Sequence, residues 1–227
     1  SYTRSLVGSV RWVYETALNR VMLQRLRLLE LEKLPMLHNG PADSGTTLIL
    51  AHGAGAGMDS PVMEAFAAGL ASNEVRVIRF EFPYMQQRRR TGKFRGPDRL
   101  PVLMESWRNV VALAGSRRLI IGGKSMGGRI ASMLADDVGA HGLICLGYPF
   151  HPVGKPENLR TAHLAELKIP TLIVQGTRDP FGRPDEVSTY QLSPAIKILW
   201  LEDGDHSFKP TKASGRTLEQ NITEAIV

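Results

Sequence analysis

Ser125 carries the sharpest chemical signal in the chain, because Gly123-Lys124-Ser125-Met126-Gly127 matches G-x-S-x-G between an aliphatic run and a helix-like stretch. A strand that turns abruptly into a helix holds a serine in a strained backbone conformation above the sheet edge. Glycines two residues to either side leave room for the turn and for close packing of strand on helix. An ordinary glycine-containing turn would match the same five letters by chance, so the surroundings decide. A phosphate-binding loop is the other use of Gly-Lys-Ser. It is excluded here because the first glycine of G-x-x-x-x-G-K-[ST] would fall on Arg118.

A serine nucleophile needs a base to take its proton and an acid to orient that base, in the chain order serine, acid, histidine for this kind of sheet. Asp179 follows the run Thr171–Gln175, in Gly176-Thr-Arg-Asp179-Pro, and His206 follows Lys197–Leu201, in Glu202-Asp-Gly-Asp-His206-Ser-Phe. Alone, an Asp-Pro is turn chemistry and a histidine after a strand is a loop or core residue. Together, after successive strands, they are expected to form a triad with Ser125. Asp203 and Asp205 are the weaker candidates for the acid, since close sequence neighbours of a histidine seldom reach its Nδ1.

The glycine-rich loop Ala51-His52-Gly53-Ala54-Gly55-Ala56-Gly57 follows the first strong strand. Its small residues allow backbone to approach a ligand, so the N–H of Ala54 is expected to join that of Met126 as an oxyanion hole. Gly53 and Gly55, with Tyr84 and Phe150 from the loops Pro83–Met85 and Phe150–His151, are expected to bound the substrate. His52 is expected to be structural.

The elements that must hold these groups can be read from residue 46 onward. Short aliphatic runs at Thr46–His52, Val75–Phe80, Arg117–Gly122, Gly142–Leu146, Thr171–Gln175 and Lys197–Leu201 alternate with helix signals. Those signals are a cap and proline at Asp59-Ser60-Pro61, then Leu100–Leu113, Met126–Asp137, Asp185–Gln191 and Thr211–Ile226. This alternation predicts an α/β, doubly wound, mostly parallel sheet, which binds ligands at the carboxyl ends of its strands. Val10, Tyr14, Leu18 and Met22 recur at helical spacing and predict an extra N-terminal amphipathic helix. Residues 1–40 are therefore expected as a helical extension and residues 41–227 as the sheet-centred domain.

Composition sets the remaining bounds. Apolar residues make up 43% and charged residues 22% of the 227, enough for a sizeable core. The net charge of +6 is concentrated in the N-terminal forty residues and in Gln86–Arg99, where Arg88, Arg89, Arg90, Lys93, Arg95 and Arg99 face only Asp98. That concentration predicts an arginine-rich loop over 86–99, and not the spread basic face of a nucleic-acid binder. Cys145 is the single cysteine and sits in an apolar run, so a buried thiol and a cytoplasmic location are expected. No run is long and apolar enough for a membrane span and no signal peptide is evident. Glu15, Glu30 and Glu32 weaken any lipid attraction of the N-terminal helix, which is expected to pack on its own domain or, in a homodimer, on a second subunit. No Cys/His cluster has ligand spacing, so neither a metal nor an organic cofactor is expected.

Six segments, LAHGAGAGMDSP, RFEFPYM, GGKSMGGR, GYPFHPVGKPE, LIVQGTRDPFG and EDGDHSF, resemble the α/β-hydrolase superfamily from about Thr46 to Phe208. More narrowly they are similar to small bacterial hydrolases without a cap domain, related to the testis-expressed and acetyltransferase-complex hydrolase-like proteins of animals. Dienelactone hydrolases are a more distant likeness, and they carry cysteine where this chain has Ser125. The resemblance implies catalytic roles for Ser125, Asp179 and His206 and is not specific for a substrate; because Tyr148 to Pro170 is too short for a cap domain, a small-molecule ester is expected as the substrate. It also leaves a second function: some animal relatives act within protein complexes, and a binding module would use the arginine-rich stretch 86–99 to contact an anionic partner.

Overall fold

The computed structural model describes residues 34–115 and 118–226. The amphipathic helix expected over Val10 to Leu29 lies outside the described residues. Strands form where aliphatic and β-branched residues cluster: Met36–Asn39 (β1), Thr46–Ala51 (β2), Arg76–Phe80 (β3), Arg118–Lys124 (β4), Gly142–Leu146 (β5), Thr171–Gly176 (β6) and Ile196–Leu201 (β7). They make one sheet in the order β1-β3-β2-β4-β5-β6-β7. All neighbours are parallel except β1, which pairs antiparallel with β3, Met36 opposite Phe80.

The helices are Pro61–Ala71 (α1), Pro83–Thr91 (α2), Leu100–Ala114 (α3), Met126–Ser132 (α4), Pro184–Val187 (α5) and Leu218–Ile226 (α6). Four of them, α1, α2, α3 and α5, carry a proline in the first turn, where its missing N–H costs nothing. Apolar side chains then fill both faces of the sheet. On one face Phe66 and Ile222, from α1 and α6, pack with Leu146, Val174, Leu201 and Phe208. Met63 and Ala67 of α1 extend that layer over Leu48, Leu50 and Val77. On the other face α3 packs on α4, which lies against β4, β5 and β2. Trp107 of α3 meets the Phe80 ring edge-on with centroids 4.9 Å apart. Among the described residues no helix is long and apolar enough to cross a membrane.

Five sequence expectations are corrected here. The sheet has a seventh strand, β1, which lies inside the range 1–40 expected to be helical extension. The stretch expected as an arginine-rich loop over 86–99 begins as helix, because α2 runs from Pro83 to Thr91 and is closed by Gly92 at φ 68°. The helix expected over Met126–Asp137 is regular only to Ser132 and continues as turns, and that over Asp185–Gln191 is the short α5. The closing helix is broken at Gly215, φ 69°, and restarts where the Thr217 hydroxyl accepts the Gln220 N–H and the Gln220 side chain accepts the Thr217 N–H.

The chain passes from β2 outward to β3 and then back across to β4, so the strand order reverses between β2 and β4. That point is the crevice where doubly wound sheets bind ligands. It is packed backbone to backbone: a Cβ on Gly127 would sit 2.4 Å from the Ala51 carbonyl oxygen and 2.6 Å from that of His52. Gly127→Ala should therefore cost about 2 kcal/mol or more through displaced backbone, whereas Gly45→Ala, where nothing lies within 4 Å, should leave Tm nearly unchanged. Thermal melts of the two variants decide; equal Tm values would contradict the packing.

Candidate active site

Ser125 stands between β4 and α4 with φ 50° and ψ −114°, a conformation that costs a non-glycine residue of order 1–3 kcal/mol. Its neighbours hold it there. The Ser125 N–H donates to the Leu146 carbonyl at 2.9 Å, and the Ser125 carbonyl accepts the Arg129 N–H at 3.0 Å. A Cβ on Gly123 would meet the Ala51 oxygen at 2.3 Å, so only glycine lets β4 bend away at this point.

His206 follows β7 and its Nε2 lies 2.9 Å from Ser125 Oγ. Its Nδ1 lies 2.7 Å from Asp179 Oδ2. A carboxylate can only accept, so Nδ1–H donates and Nε2 is left to take the serine proton. Asp179, in the loop after β6, is 0% exposed, and its Oδ1 accepts the Phe181 N–H at 2.9 Å. The other two acids are engaged elsewhere. Asp205 Oδ1 accepts the N–H groups of Ser207 and Lys209, at 2.7 and 3.0 Å, and shapes the turn that presents His206. Asp203 accepts from Thr211 and pairs with Arg178 at 2.8 Å.

A hollow of about 510 Å³ opens onto Ser125 and His206, lined by Gly53, Ala54, Gly55 and Ala56 on one side and by Ser60, Pro61, Val62, Phe181 and Ser207 on the other. The N–H groups of Ala54 and Met126 have no protein acceptor among the described residues; Ala54 lines the hollow, and Met126 follows Ser125 directly in the chain. Of the residues expected to bound the substrate, Gly53 and Gly55 line the hollow; Tyr84 and Phe150 do not. Tyr84 is buried behind the glycine-rich loop, its hydroxyl within hydrogen-bond reach of the carbonyls of Gly53 (3.2 Å) and Ala54 (3.1 Å). Burial pushes that phenol well above its ordinary pKa. Phe150 is buried between the rings of Tyr148 and Tyr190, beneath the acid loop. The aromatic side chain at the site is Phe181, its ring centroid 4.3 Å from that of His206. Its signal in the sequence was adjacency, two residues after the acid in Asp-Pro-Phe-Gly.

Polar struts hold the glycine-rich loop. His52 Nε2 accepts the Phe82 N–H at 3.1 Å, which fixes Nδ1–H as the donor to the Gly53 carbonyl at 2.6 Å. Burial lowers the His52 pKa, so the ring stays neutral. Arg89 of α2 bridges Asp59 at 2.9 Å and the buried Glu81 at 2.6 Å, and Glu81 also accepts the Met58 N–H at 3.4 Å. Among the described residues no three metal-ligating side chains come together.

Lys124, next to the nucleophile, was the unspecified position of the motif. Its stem passes Gly53, and its Nζ is buried without a hydrogen-bond partner, 5.4 Å from the centre of the Phe208 ring. Burial pulls this ammonium from its ordinary 10.5 down to about 8, against the attraction of Asp179 and Asp205.

The sequence pattern of the alpha/beta hydrolase domain family matches residues 44–227. Three solved structures share the fold. The lidless serine hydrolase XC6422 of Xanthomonas campestris is 20% identical, with 85% of this chain and 86% of that one covered at a TM-score of 0.65. A serine hydrolase homologue from Coxiella burnetii is also 20% identical, with 86% and 91% covered at 0.65. Est1E of Butyrivibrio proteoclasticus, solved with ferulic acid, is 16% identical, with 85% and 94% covered at 0.63.

The Lys124 ammonium makes stability depend on pH. Below about pH 8 it is protonated in folded and unfolded chains alike, so its burial destabilises the fold in full, on the order of 3 kcal/mol. As pH rises from about 8 toward 10.5 the folded chain gives up the proton first and the penalty fades. Lys124→Met should raise Tm at pH 7 by roughly 6–12 °C, with the gain shrinking by pH 10. A lower Tm at pH 7 would contradict this electrostatic account.

Proposed function

We propose, from the premise that the chain belongs to the alpha/beta hydrolase domain family, that it is a serine hydrolase cleaving small carboxylic esters through an acyl-enzyme on Ser125. One observation carries this reading: Ser125 Oγ, His206 and Asp179 are linked in series at 2.9 and 2.7 Å. His206 Nε2 takes the serine proton as Oγ attacks the ester carbonyl. The negative charge that develops on the carbonyl oxygen is held by the N–H groups of Ala54 and Met126. Collapse of the tetrahedral intermediate expels the alcohol, which receives the proton from His206. Water, deprotonated by the same imidazole, then releases the acid and restores Ser125. Asp179 stays ionised throughout; its role is to hold the imidazole and stabilise its charged form.

The preference for small acyl groups is supported by what stands between β5 and β6. From Tyr148 to Pro170 the chain carries one short 3₁₀ turn, Ala162–Glu166, and is rich in Pro149, Pro152, Gly154 and Pro156, too little to build a cap domain. The lidless hydrolase from Xanthomonas campestris and Est1E, solved with ferulic acid, a small carboxylic acid, support an open site for small substrates. The apolar wall of the hollow comes from Ala54, Ala56, Pro61, Val62 and Phe181 around about 510 Å³. That stretch suits a short acyl chain better than a palmitoyl one, each further CH₂ of which needs its own burial at about 0.8 kcal/mol.

Ser125→Ala should abolish labelling by a fluorophosphonate probe and lower ester turnover by several orders of magnitude without loss of fold. His206→Ala should behave similarly and Asp179→Asn somewhat less severely; full turnover in a folded Ser125→Ala protein would end the serine mechanism. On a series of p-nitrophenyl esters, kcat/KM should be higher for acetyl to butyryl than for palmitoyl. A steady rise to palmitoyl would reveal an acyl tunnel and refute the open site.

A further inference from the structure

We propose that a second hollow, beside the catalytic one and walled by Arg88, Lys93 and Phe94, is an anion subsite, and that the ester this protein cleaves carries a carboxylate or phosphate away from the scissile bond. The inference rests on the ester-hydrolase reading and adds a substrate class to it.

The cations of α2 and the segment after it are unequally satisfied. Arg89 is held by Asp59 and Glu81 together, and Arg95 by Asp98 at 3.1 Å. Arg88 has no carboxylate among its described contacts. Its guanidinium lies 5.1 Å from the centre of the Phe94 ring, and its Nη1 reaches the Gly55 carbonyl only at the limit of a hydrogen bond, 3.5 Å. Lys93 is exposed close by and shares with Arg88, Phe94, Met85, Arg89 and Gly92 a hollow of about 350 Å³.

Two features point to a ligand in that space. First, Phe94 is 84% exposed; a ring so placed adds little to folding, but with the Arg88 guanidinium over its face it holds that cation in position for a ligand. Second, Gly55 lines the catalytic hollow as well, so one peptide separates Arg88 from the space in front of Ser125. The helix C-terminus favours basic residues in its last turn in general. It does not account for Arg88 lying over Phe94 toward Gly55 in place of extending into solvent. A planar guanidinium fork with an ammonium beside it suits the paired oxygens of a carboxylate or phosphate.

The test compares 4-nitrophenyl hydrogen adipate with 4-nitrophenyl hexanoate, equal in acyl length and different in the terminal charge. Taking the ratio of their kcat/KM values cancels any general disturbance of the glycine-rich loop. Wild type should favour the adipate by roughly tenfold at low salt, the scale of one charge-assisted hydrogen bond. Arg88→Gln should bring the ratio close to one through KM, and Lys93→Gln, which does not touch the glycine-rich loop, should lower it severalfold. Calorimetric titration of the Ser125→Ala protein with adipate and with inorganic phosphate decides which oxyanion is preferred, and loss of that binding in Ser125→Ala/Arg88→Gln supports the subsite. A wild-type ratio at or below one, a ratio that Arg88→Gln does not alter, or no binding of either anion overturns it. Hydrolysis of the hexanoate alone would leave the ester reading standing while the subsite falls. Turnover of neither ester would remove the ester reading, and anion binding would still judge the subsite.

Discussion

The tightest constraint in this protein is the contact between backbone atoms where β2, β4 and α4 converge. The carbonyl oxygen of Ala51 occupies the space that side chains on Gly123 and Gly127 would need. Because those chains can touch, β4 can end in a residue with a left-handed backbone and α4 can begin at once. Ser125 is thereby raised above the sheet edge, and the loop that leaves β2 is carried to within reach of it. The distances that link Ser125, His206 and Asp179 follow from that approach. A looser junction would move the glycine-rich loop away from Ser125 by the width of a methyl group.

Packing alone would not hold a loop made of glycine and alanine. Rigidity comes from polar groups drawn from the neighbouring segment: His52 tied to Phe82, Tyr84 beneath Gly53 and Ala54, and Arg89 between Asp59 and Glu81. Glu81 is buried, so it is tolerable only while Arg89 neutralises it. The hydrogen of Asp59 is likewise held off by Arg89, which keeps this carboxyl below its ordinary pKa. The loop is preorganised before any substrate arrives, which is what electrostatic stabilisation of an oxyanion needs.

The parts legible in the sequence were those written in punctuation that repeats. Six strands and the residues that follow them could be found because aliphatic runs alternate with caps, prolines and glycines, and Ser125, Asp179 and His206 each come straight after such a run. β1 escaped because Met36–Asn39 is four residues long with no alternation, and its partner β3 is what makes it a strand. α2 escaped because Tyr84 and Met85 are its only buried side chains, too few for a helical stripe, although Pro83 and Gly92 marked its ends. Tyr84 and Phe150 were drawn to the substrate by their place beside motif loops; burial, which a sequence does not state, puts them behind those loops as supports. Lys124 fell on a position that the motif leaves open, and only the fold brings its ammonium close to His206, beside Gly147.

The struts also divide the molecule in a way that bears on its history. The triad hangs from β4, β6 and β7, in the middle and at one edge of the sheet, while α2 and the segment up to Arg99 sit between β3 and α3 and reach the site only through side chains. Within that segment Tyr84 and Arg89 are tied to the glycine-rich loop and its supports, whereas Lys93 and Phe94 touch neither that loop nor Ser125, so exchanges at those two positions would leave the junction undisturbed. A surface on which two side chains can vary without touching the backbone junction lets new sequences be tried by small steps, each leaving a folded protein.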